Sequence, residues 1–202
     1  MRPTGLRESQ KAATRLALAY AVLTLATREG IEAVTIDAVA AEAGVSVRTF
    51  HNYFTSKEDA LVYFTGELLD QIADGLRARP PDEPFATALR ACITEIVTGS
   101  DDLDPAVLLT LLRLFDTEPT LTAHSTRVDL VGNLDAKVTE MLRSRDLDPT
   151  SLYPQLVFNV ALCTARCAIE YWVAHPDSAG SARESLDAAF DQVEAGIAQP
   201  LS

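Results

Sequence analysis

Hydrogen-bonding side chains crowd into one short segment, "SVRTFHNYFTSK", which runs from residue 46 to residue 57. If this segment is helical, Arg48, Thr49, His51 and Asn52 fall on one face. Guanidinium, hydroxyl, imidazole and amide groups are the groups with which proteins contact the base edges and phosphate oxygens of DNA. Any one of these residues alone is more often a cap or a solvated side chain. It is their coincidence on one face that predicts a nucleic-acid contact.

Two short predicted helices on either side of Gly44 would hold this segment in place. Glycine permits the positive-φ backbone of a tight turn, and Ala40, four residues earlier, is small enough for the second helix to approach the first. The apolar contacts that such a pair needs fall on Val39, Ala43, Val45, Phe50 and Tyr53. The pattern predicts a helix-turn-helix, with the preceding helix as its third wall.

Helix start and stop signals recur along the chain, and we find no convincing strand pattern. Gly30 ends the first helix, Thr35 and Ser46 cap the second and third, and Thr55 with Glu58 predicts a capping box for the fourth. About nine helices are expected, spanning roughly residues 8–29, 35–44, 46–53, 55–79, 84–98, 104–116, a stretch ending near 144, 148–175 and 181–198. The predicted fold class is all-α.

The last two predicted helices carry more apolar surface than one chain needs. The eighth helix is apolar on two faces, one through Leu156 and Cys163 and the other through Phe158 and Ile169, and such a helix has to be buried on both sides. The ninth helix adds an apolar stripe of its own. We therefore predict a homodimer through the last two helices, whose pairs form a four-helix interface. The alternative is that the eighth helix is simply the centre of the core.

The charge of the chain is unevenly distributed. The 202 residues carry a formal net charge of −12, yet residues 1–58 hold seven Lys and Arg against six Asp and Glu. The acidity therefore lies in the larger C-terminal part and leaves DNA binding open to the N-terminal part. The three cysteines lack a disulfide framework, and the apolar run at residues 16–26 lacks a cleavage site. We expect a cytoplasmic protein with no signal peptide and no membrane partner.

The segment "GIEAVTIDAVAAEAGVSVRTFHNYFTSKEDAL" resembles the N-terminal domain of TetR-family transcriptional regulators. The shared features are the glycine after the first helix, Thr35, the "AxxAGVS" turn, "TFxxYF" and "SKExxL", and they cover residues 10–61. The resemblance implies an all-α homodimer that binds a palindromic operator in double-stranded DNA. It also implies that a small molecule in the C-terminal helical bundle moves the fourth helix and releases the DNA.

From the resemblance, we expect residues 1–58 to form a three-helix DNA-binding domain and residues 59–202 to form a larger ligand-binding and dimerisation domain. The expected DNA contacts are Thr35, Ser46, Arg48, Thr49, Phe50, His51, Tyr53 and Lys57, to which the outward face of the third helix adds Asn52. Where the family usually has tyrosine, this chain has His51. An imidazole binds an anion better when it is protonated, so DNA binding is predicted to tighten modestly at lower pH.

The effector site is harder to predict from sequence. Polar and aromatic residues within apolar helices give a candidate ligand-binding set of Arg113, Phe115, Arg127, Asn159, Cys163 and Trp172. For the arginines, pairing with Asp116, Asp129 or Glu170 is the stronger expectation, and for the aromatic residues, filling the core. Apolar neighbours favour buried, inert thiols at Cys163 and Cys167 over a redox switch. We expect no metal and no cofactor, since the histidines are dispersed.

Taken together, these features predict a ligand-responsive, DNA-binding transcriptional regulator that acts as a repressor. The rival hypothesis is an α-helical enzyme or protein-interaction module with an incidental helix-turn-helix. That rival needs polar catalytic residues that converge in the bundle, and the sequence contains no Ser/His/Asp order, phosphate loop or dinucleotide fingerprint. The chain is therefore not expected to be an enzyme.

Overall fold

The computed structural model describes residues 4–99, 103–117 and 128–197. Within these ranges the chain forms nine α-helices and no strand, which confirms the all-α prediction. The helices are α1 (Thr4–Glu29), α2 (Ile36–Glu42), α3 (Val47–His51), α4 (Lys57–Ala78), α5 (Phe85–Thr98), α6 (Pro105–Thr117), α7 (Val128–Arg143), α8 (Leu152–Ala174) and α9 (Ala182–Ala195). A 3-10 turn, Ile31–Ala33, separates α1 from α2.

The first three helices form the predicted helix-turn-helix unit. Thr35 accepts a hydrogen bond from the backbone N–H of Ala38 at 3.2 Å and so caps α2. Ser46 caps α3 in the same way, by accepting from the Thr49 N–H at 3.1 Å. Between them the backbone of Gly44 has a φ of 66°, which is the left-handed conformation that the tight turn requires. The caps and the glycine lie where the sequence predicts them.

The start of α4 differs by one residue from the prediction. The N-cap is Ser56, whose hydroxyl accepts from the Asp59 N–H. The Asp59 carboxylate accepts in turn from the Thr55 backbone N–H at 3.0 Å and from the Thr55 hydroxyl. The predicted box of Thr55 with Glu58 is therefore wrong by one position. The segment "TSKED" offers two hydroxyls and two carboxylates in adjacent registers, and the pattern alone does not choose between them.

Helix α4 runs through the middle of the molecule and packs against α1, α5 and α7, while α8 packs against α5, α6 and α9. The core is made of aliphatic and aromatic side chains from these helices, among them Leu18, Leu23, Leu61, Leu76, Leu89, Ile169 and Leu186. The predicted capping box of Ser181 with Glu184 is present at the start of α9. The N-terminal unit and the larger bundle thus share α4 and the inner face of α1.

Arg145 ties the end of α4 to the loop that follows it. Its guanidinium donates to the carbonyl oxygen of Pro80 at 2.9 Å and to that of Glu83 at 2.8 Å. It also reaches the carbonyl of Leu76 in the last turn of α4. The arginine therefore holds the last turn of α4, whose Leu76 carbonyl also accepts from the Arg79 N–H, and the following loop together from a distant part of the chain.

Helix α8 is buried on one face within the chain, not on both. Phe158, Ala165 and Ile169 pack into the core, whereas Leu156 is 54% exposed and Leu152 is 77% exposed. The alternative that this helix is simply the centre of the core is therefore wrong, and its second apolar face is the one that the predicted dimer covers. Cys163 and Cys167 lie on the exposed face, so the prediction of buried thiols is also wrong within one chain.

The same helix is long and apolar enough to cross a bilayer by length and composition. Polar residues nevertheless interrupt it, among them Glu170, which pairs with Arg113 of α6 at 2.9 Å. That ion pair confirms the expectation that Arg113 pairs with Glu170. A helix that packs into the core on one face and pairs with a neighbouring helix is better explained as a core helix with an uncovered side.

Candidate nucleic-acid interface

The outward face of α3 presents the predicted donors. Arg48, His51 and Asn52 are exposed, and Thr49 is half-buried beside them. The hydroxyl of Thr49 is hydrogen-bonded to that of Ser46 at 2.8 Å, which fixes both side chains at the amino end of the helix. In a helix-turn-helix the early residues of the second helix are those that enter the major groove. The structure brings these five residues together, as predicted.

Phe50 is a correction to the predicted set of DNA contacts. Its side chain is 0% exposed, and its ring packs against that of Phe54 at a centroid distance of 5.8 Å. It points from α3 into the core between the first three helices, so its side chain cannot reach DNA. The buried Phe50 ring anchors α3 to the core, and this anchoring fixes the position of the exposed donor face of the helix.

Lys57, predicted to anchor a phosphate, is partly committed to the protein. Its ammonium donates to the carbonyl oxygen of Ile31 at 2.5 Å and to that of Val34 at 3.3 Å. An ammonium has three N–H groups, so at most one is left for DNA. These bonds connect the first residue of α4 to the 3-10 turn that precedes α2. Sequence patterns could not have indicated this contact, since it joins residues 26 and 23 positions apart.

Two further predicted contacts lie beside the recognition helix. Thr35 is exposed at the amino end of α2 and caps that helix. Tyr53 is half-buried and packs against the core, with its ring along a small cavity of about 290 Å³ that Arg15 and Thr55 also line. One side of the Tyr53 side chain therefore packs against the protein, and only its exposed side is available to contact DNA.

Arg15 is a residue that the sequence analysis missed. Its guanidinium lies 4.0 Å from the ring centroid of Tyr63 and 5.3 Å from that of Phe54, so it stacks between α4 and the turn after α3. Burial and a hydrogen bond to Glu67 raise the pKa of Tyr63 to about 12. Arg15 thus connects α1, the helix-turn-helix core and α4 through one cationic side chain.

A cavity lies between α1, α4 and α5, and Leu103, just before α6, also lines it. Its volume is about 690 Å³, within the range typical of small-molecule sites. Tyr20, Phe64 and Cys92 contribute apolar surface, and Glu67 and Glu95 contribute carboxylates. Burial is the main cause that raises the pKa of the Cys92 thiol; the positive charge of Arg79 opposes this rise and the negative charge of Glu95 adds to it.

The structure places the described members of the predicted ligand set outside this cavity. Arg113 is exposed, as are Asn159 and Cys163, and Trp172 donates from its indole to the Gly180 carbonyl at 3.1 Å. Arg127 and the side chain of Phe115 lie outside the described residues. The cavity was missed because its lining comes from the first, fourth and fifth helices, whereas the polar residues singled out in the sequence lie in the sixth to eighth. No group of His, Cys, Asp and Glu in the described ranges could hold a metal ion.

Comparison with known proteins extends the similarity to nearly the whole chain. Residues 21–62 match the family model described as bacterial regulatory proteins, tetR family. Residues 83–198, more than half of the chain, match the model described as the MftR C-terminal domain. The HTH-type transcriptional regulator TcmR of Streptomyces glaucescens is 26% identical over 194 residues, which cover 93% of this chain and 84% of that protein.

Solved structures with the same fold include several regulators. FadR of Thermus thermophilus in complex with lauroyl-CoA has a TM-score of 0.52 at 20% identity and covers 93% of this chain and 97% of that chain. FadR of Bacillus halodurans has a TM-score of 0.57 at 16% identity, over 91% and 95% of the two chains. A TetR transcriptional regulator from Rhodococcus sp. RHA1 has a TM-score of 0.57 at 19% identity and covers 94% of this chain and 100% of that chain. These similarities confirm the fold of both halves.

Proposed function

Because the chain belongs to the tetR family of bacterial regulatory proteins, we propose that it represses transcription from a palindromic operator and that a small-molecule effector releases it. The observation that carries this proposal is the exposed donor face of α3, with Arg48, His51 and Asn52 above a buried Phe50. A family of regulators acts through binding, and we assign this chain no catalytic step. The site of action is the cytoplasm, where the DNA is.

The residues proposed to contact DNA divide by role. Arg48 lies where a guanidinium can donate two hydrogen bonds to guanine, and Asn52 where an amide can bond adenine. The hydroxyls of Thr35 and Ser46 and the helix N-termini beside them suit phosphate oxygens. His51 takes the place that tyrosine has in related domains and donates to a phosphate. Phosphate contacts give affinity that falls steeply with salt.

A homodimer through α8 and α9 places two recognition helices on one operator. The exposed apolar side chains of α8, among them Leu152, Leu156 and Tyr171, are the surface that a second copy covers. Two copies related by a twofold axis present their α3 helices about one DNA turn apart, roughly 34 Å. A palindromic operator matches that symmetry.

The division at residue 58 gives α4 the role of connector between DNA binding and effector binding. Residues 1–58 form the DNA-binding domain and residues 59–202 the ligand-binding and dimerisation domain. The amino end of α4 is tied to the 3-10 turn by Lys57, and its middle lines the cavity through Phe64 and Glu67. An effector that widens the space between α1 and α4 changes the tilt of the recognition helices. It weakens DNA binding in proportion to its differential affinity for the two states.

Binding of the purified protein to the intergenic DNA beside its own gene tests the proposal. Fluorescence anisotropy with a labelled duplex, in excess competitor DNA at moderate salt, measures sequence preference. Loss of a bidentate guanine contact in Arg48→Ala should weaken specific binding by about 1–3 kcal/mol. Arg143→Ala, at the exposed end of α7, is the charge-matched control and should bind as the wild type does. Equal affinity of the wild type for the intergenic and competitor DNA would refute the proposal.

A further inference from the structure

We propose that the effector is a largely apolar molecule that carries a protonated amine, and that it binds in the cavity between α1, α4 and α5. This inference rests on the proposed function, since it names the chemical class of the molecule that releases the DNA. It follows from the described lining of the cavity, which combines apolar walls with two carboxylates and contains no basic side chain.

The apolar walls set the size and shape of the ligand. Leu16 and Tyr20 of α1, Phe64 and Leu68 of α4, and Ile96 of α5 line the cavity. The rings of Tyr20 and Phe64 are close to one another, with centroids 6.1 Å apart. A volume of about 690 Å³ accommodates a fused-ring skeleton. Burial of such a skeleton supplies most of the affinity, and aromatic faces attract a cation.

The charged lining selects the sign of the ligand. Glu67 from α4 and Glu95 from α5 both line the cavity, whereas none of the described lining residues is Lys, Arg or His. Gln71 of α4 contributes a neutral amide to the same lining. An anionic ligand would meet two carboxylates without a compensating cation, whereas an ammonium would be attracted by both.

The neighbouring arginines are engaged elsewhere. Arg15 stacks on Tyr63 and Phe54, on the smaller cavity. Arg79 is held by Glu83 through two hydrogen bonds of 2.6 Å each. Arg90 pairs with three acidic residues of α9, the nearest being Asp191 at 2.7 Å. None of these three arginines lines the larger cavity, although the positive charge of Arg79 acts on the Cys92 thiol in its wall and Glu67 shares the smaller cavity with Arg15.

This chemistry differs from that of the Thermus thermophilus FadR ligand, lauroyl-CoA. The phosphates of a CoA thioester are anionic and need basic residues. An acyl-CoA is therefore the wrong charge for the lining of this cavity, in spite of the shared fold. A shared fold does not imply a shared ligand.

A matched set of three probes tests the inference: naphthylmethylamine, naphthylmethanol and naphthoate share one ring system and differ in charge. Dissociation constants are measured by titration calorimetry with the full-length protein. We expect the amine to bind about tenfold more tightly than the alcohol, a difference of ~1.4 kcal/mol, and naphthoate to bind most weakly. In a Glu67→Gln, Glu95→Gln variant the amine should lose that advantage while the alcohol binds unchanged. Glu140→Gln, on the exposed side of α7, is the matched control.

Each unfavourable outcome overturns the inference. If naphthoate binds as tightly as the amine, the cavity does not favour positive charge. If the amine still binds more tightly than the alcohol in the double variant, the two glutamates do not bind the ammonium. Binding of none of the three probes would show that the cavity does not accept aromatic cations. Operator release is measured separately with the same probes. If the amine binds with the expected dependence on the glutamates but leaves DNA bound, the mechanism of release fails and the assignment of the site stands.

Discussion

Replacement of Lys57 by methionine separates two roles of this side chain. The sequence predicts a phosphate anchor, whereas the contacts with the carbonyls of Ile31 and Val34 indicate a clamp between α4 and the 3-10 turn. Methionine keeps the apolar stem and removes the ammonium. A hydrogen bond to a charged group contributes about 1.5–3 kcal/mol when buried, and partial exposure at residue 57 reduces this. We expect the free energy of unfolding to fall by about 1–2 kcal/mol, which lowers Tm by about 2–8 °C.

Two measurements decide between the roles. Thermal unfolding of the free protein, followed by circular dichroism at fixed protomer concentration, reports the clamp. The dependence of operator affinity on salt reports phosphate contacts, because each one contributes about 0.9 to the slope of log K against log salt. We expect K57M to lower Tm and to leave the slope unchanged. Arg143→Met, at an exposed site in the bundle, is the control for loss of a positive charge. An unchanged Tm with a slope smaller by about one would refute the clamp.

Four further predictions concern packing, assembly and pH. In Gly75→Ala the new Cβ would lie 2.9 Å from the Sγ of Cys92. The resulting clash should offset the gain of about 1 kcal/mol that alanine brings over glycine within a helix. In a double-mutant cycle followed by thermal unfolding, Cys92→Ala should restore that gain. Phe50→Ala should destabilise the protein by about 3–5 kcal/mol in chemical unfolding because the anchoring ring is fully buried; a loss below ~1 kcal/mol would contradict that role. Leu156→Glu should convert dimer to monomer in analytical ultracentrifugation and speed maleimide labelling of the two α8 cysteines, since a carboxylate cannot be buried in the interface. Operator affinity should rise modestly at lower pH if His51 contacts a phosphate, and an identical pH profile for His51→Tyr would contradict that contact.

Local signals were sufficient to predict the helix-turn-helix. Gly44, with its positive φ, and the caps Thr35 and Ser46 act within four residues of their own position. These features can therefore be predicted from a short stretch of sequence. The same is true of the capping box at Ser181. Where two equivalent registers compete, as at the start of α4, the local signal places the helix but not its cap.

Contacts between distant segments could not be predicted in this way. Lys57 finds its carbonyl partners because the 3-10 turn, which the sequence analysis did not foresee, presents them toward α4. The cavity depends on how α1, α4 and α5 pack, and its carboxylates belong to helices in which glutamate is an ordinary surface residue. Periodicity identifies which faces of α8 are apolar, but it does not say which of them a second chain covers. The tertiary structure is needed to tell the two faces apart, and the exposure of Leu156 identifies the face that the chain itself does not cover.

Glu67 gives the effector cavity a physical connection to the recognition helix. It lines both cavities and lies close enough to Tyr63 to contribute to the raised pKa of that phenol. The Tyr63 ring lies under the guanidinium of Arg15, which also covers Phe54, and Phe54 packs against Phe50 of α3. The series consists of aromatic rings and a guanidinium that pack against one another, so a displacement of Glu67 toward a ligand has to be accommodated along it. On the proposed mechanism, an ammonium that draws this carboxylate into the cavity moves it away from Tyr63 and loosens the stack that positions Phe50. The DNA-binding face would then lose its support from the side on which the proposed effector binds.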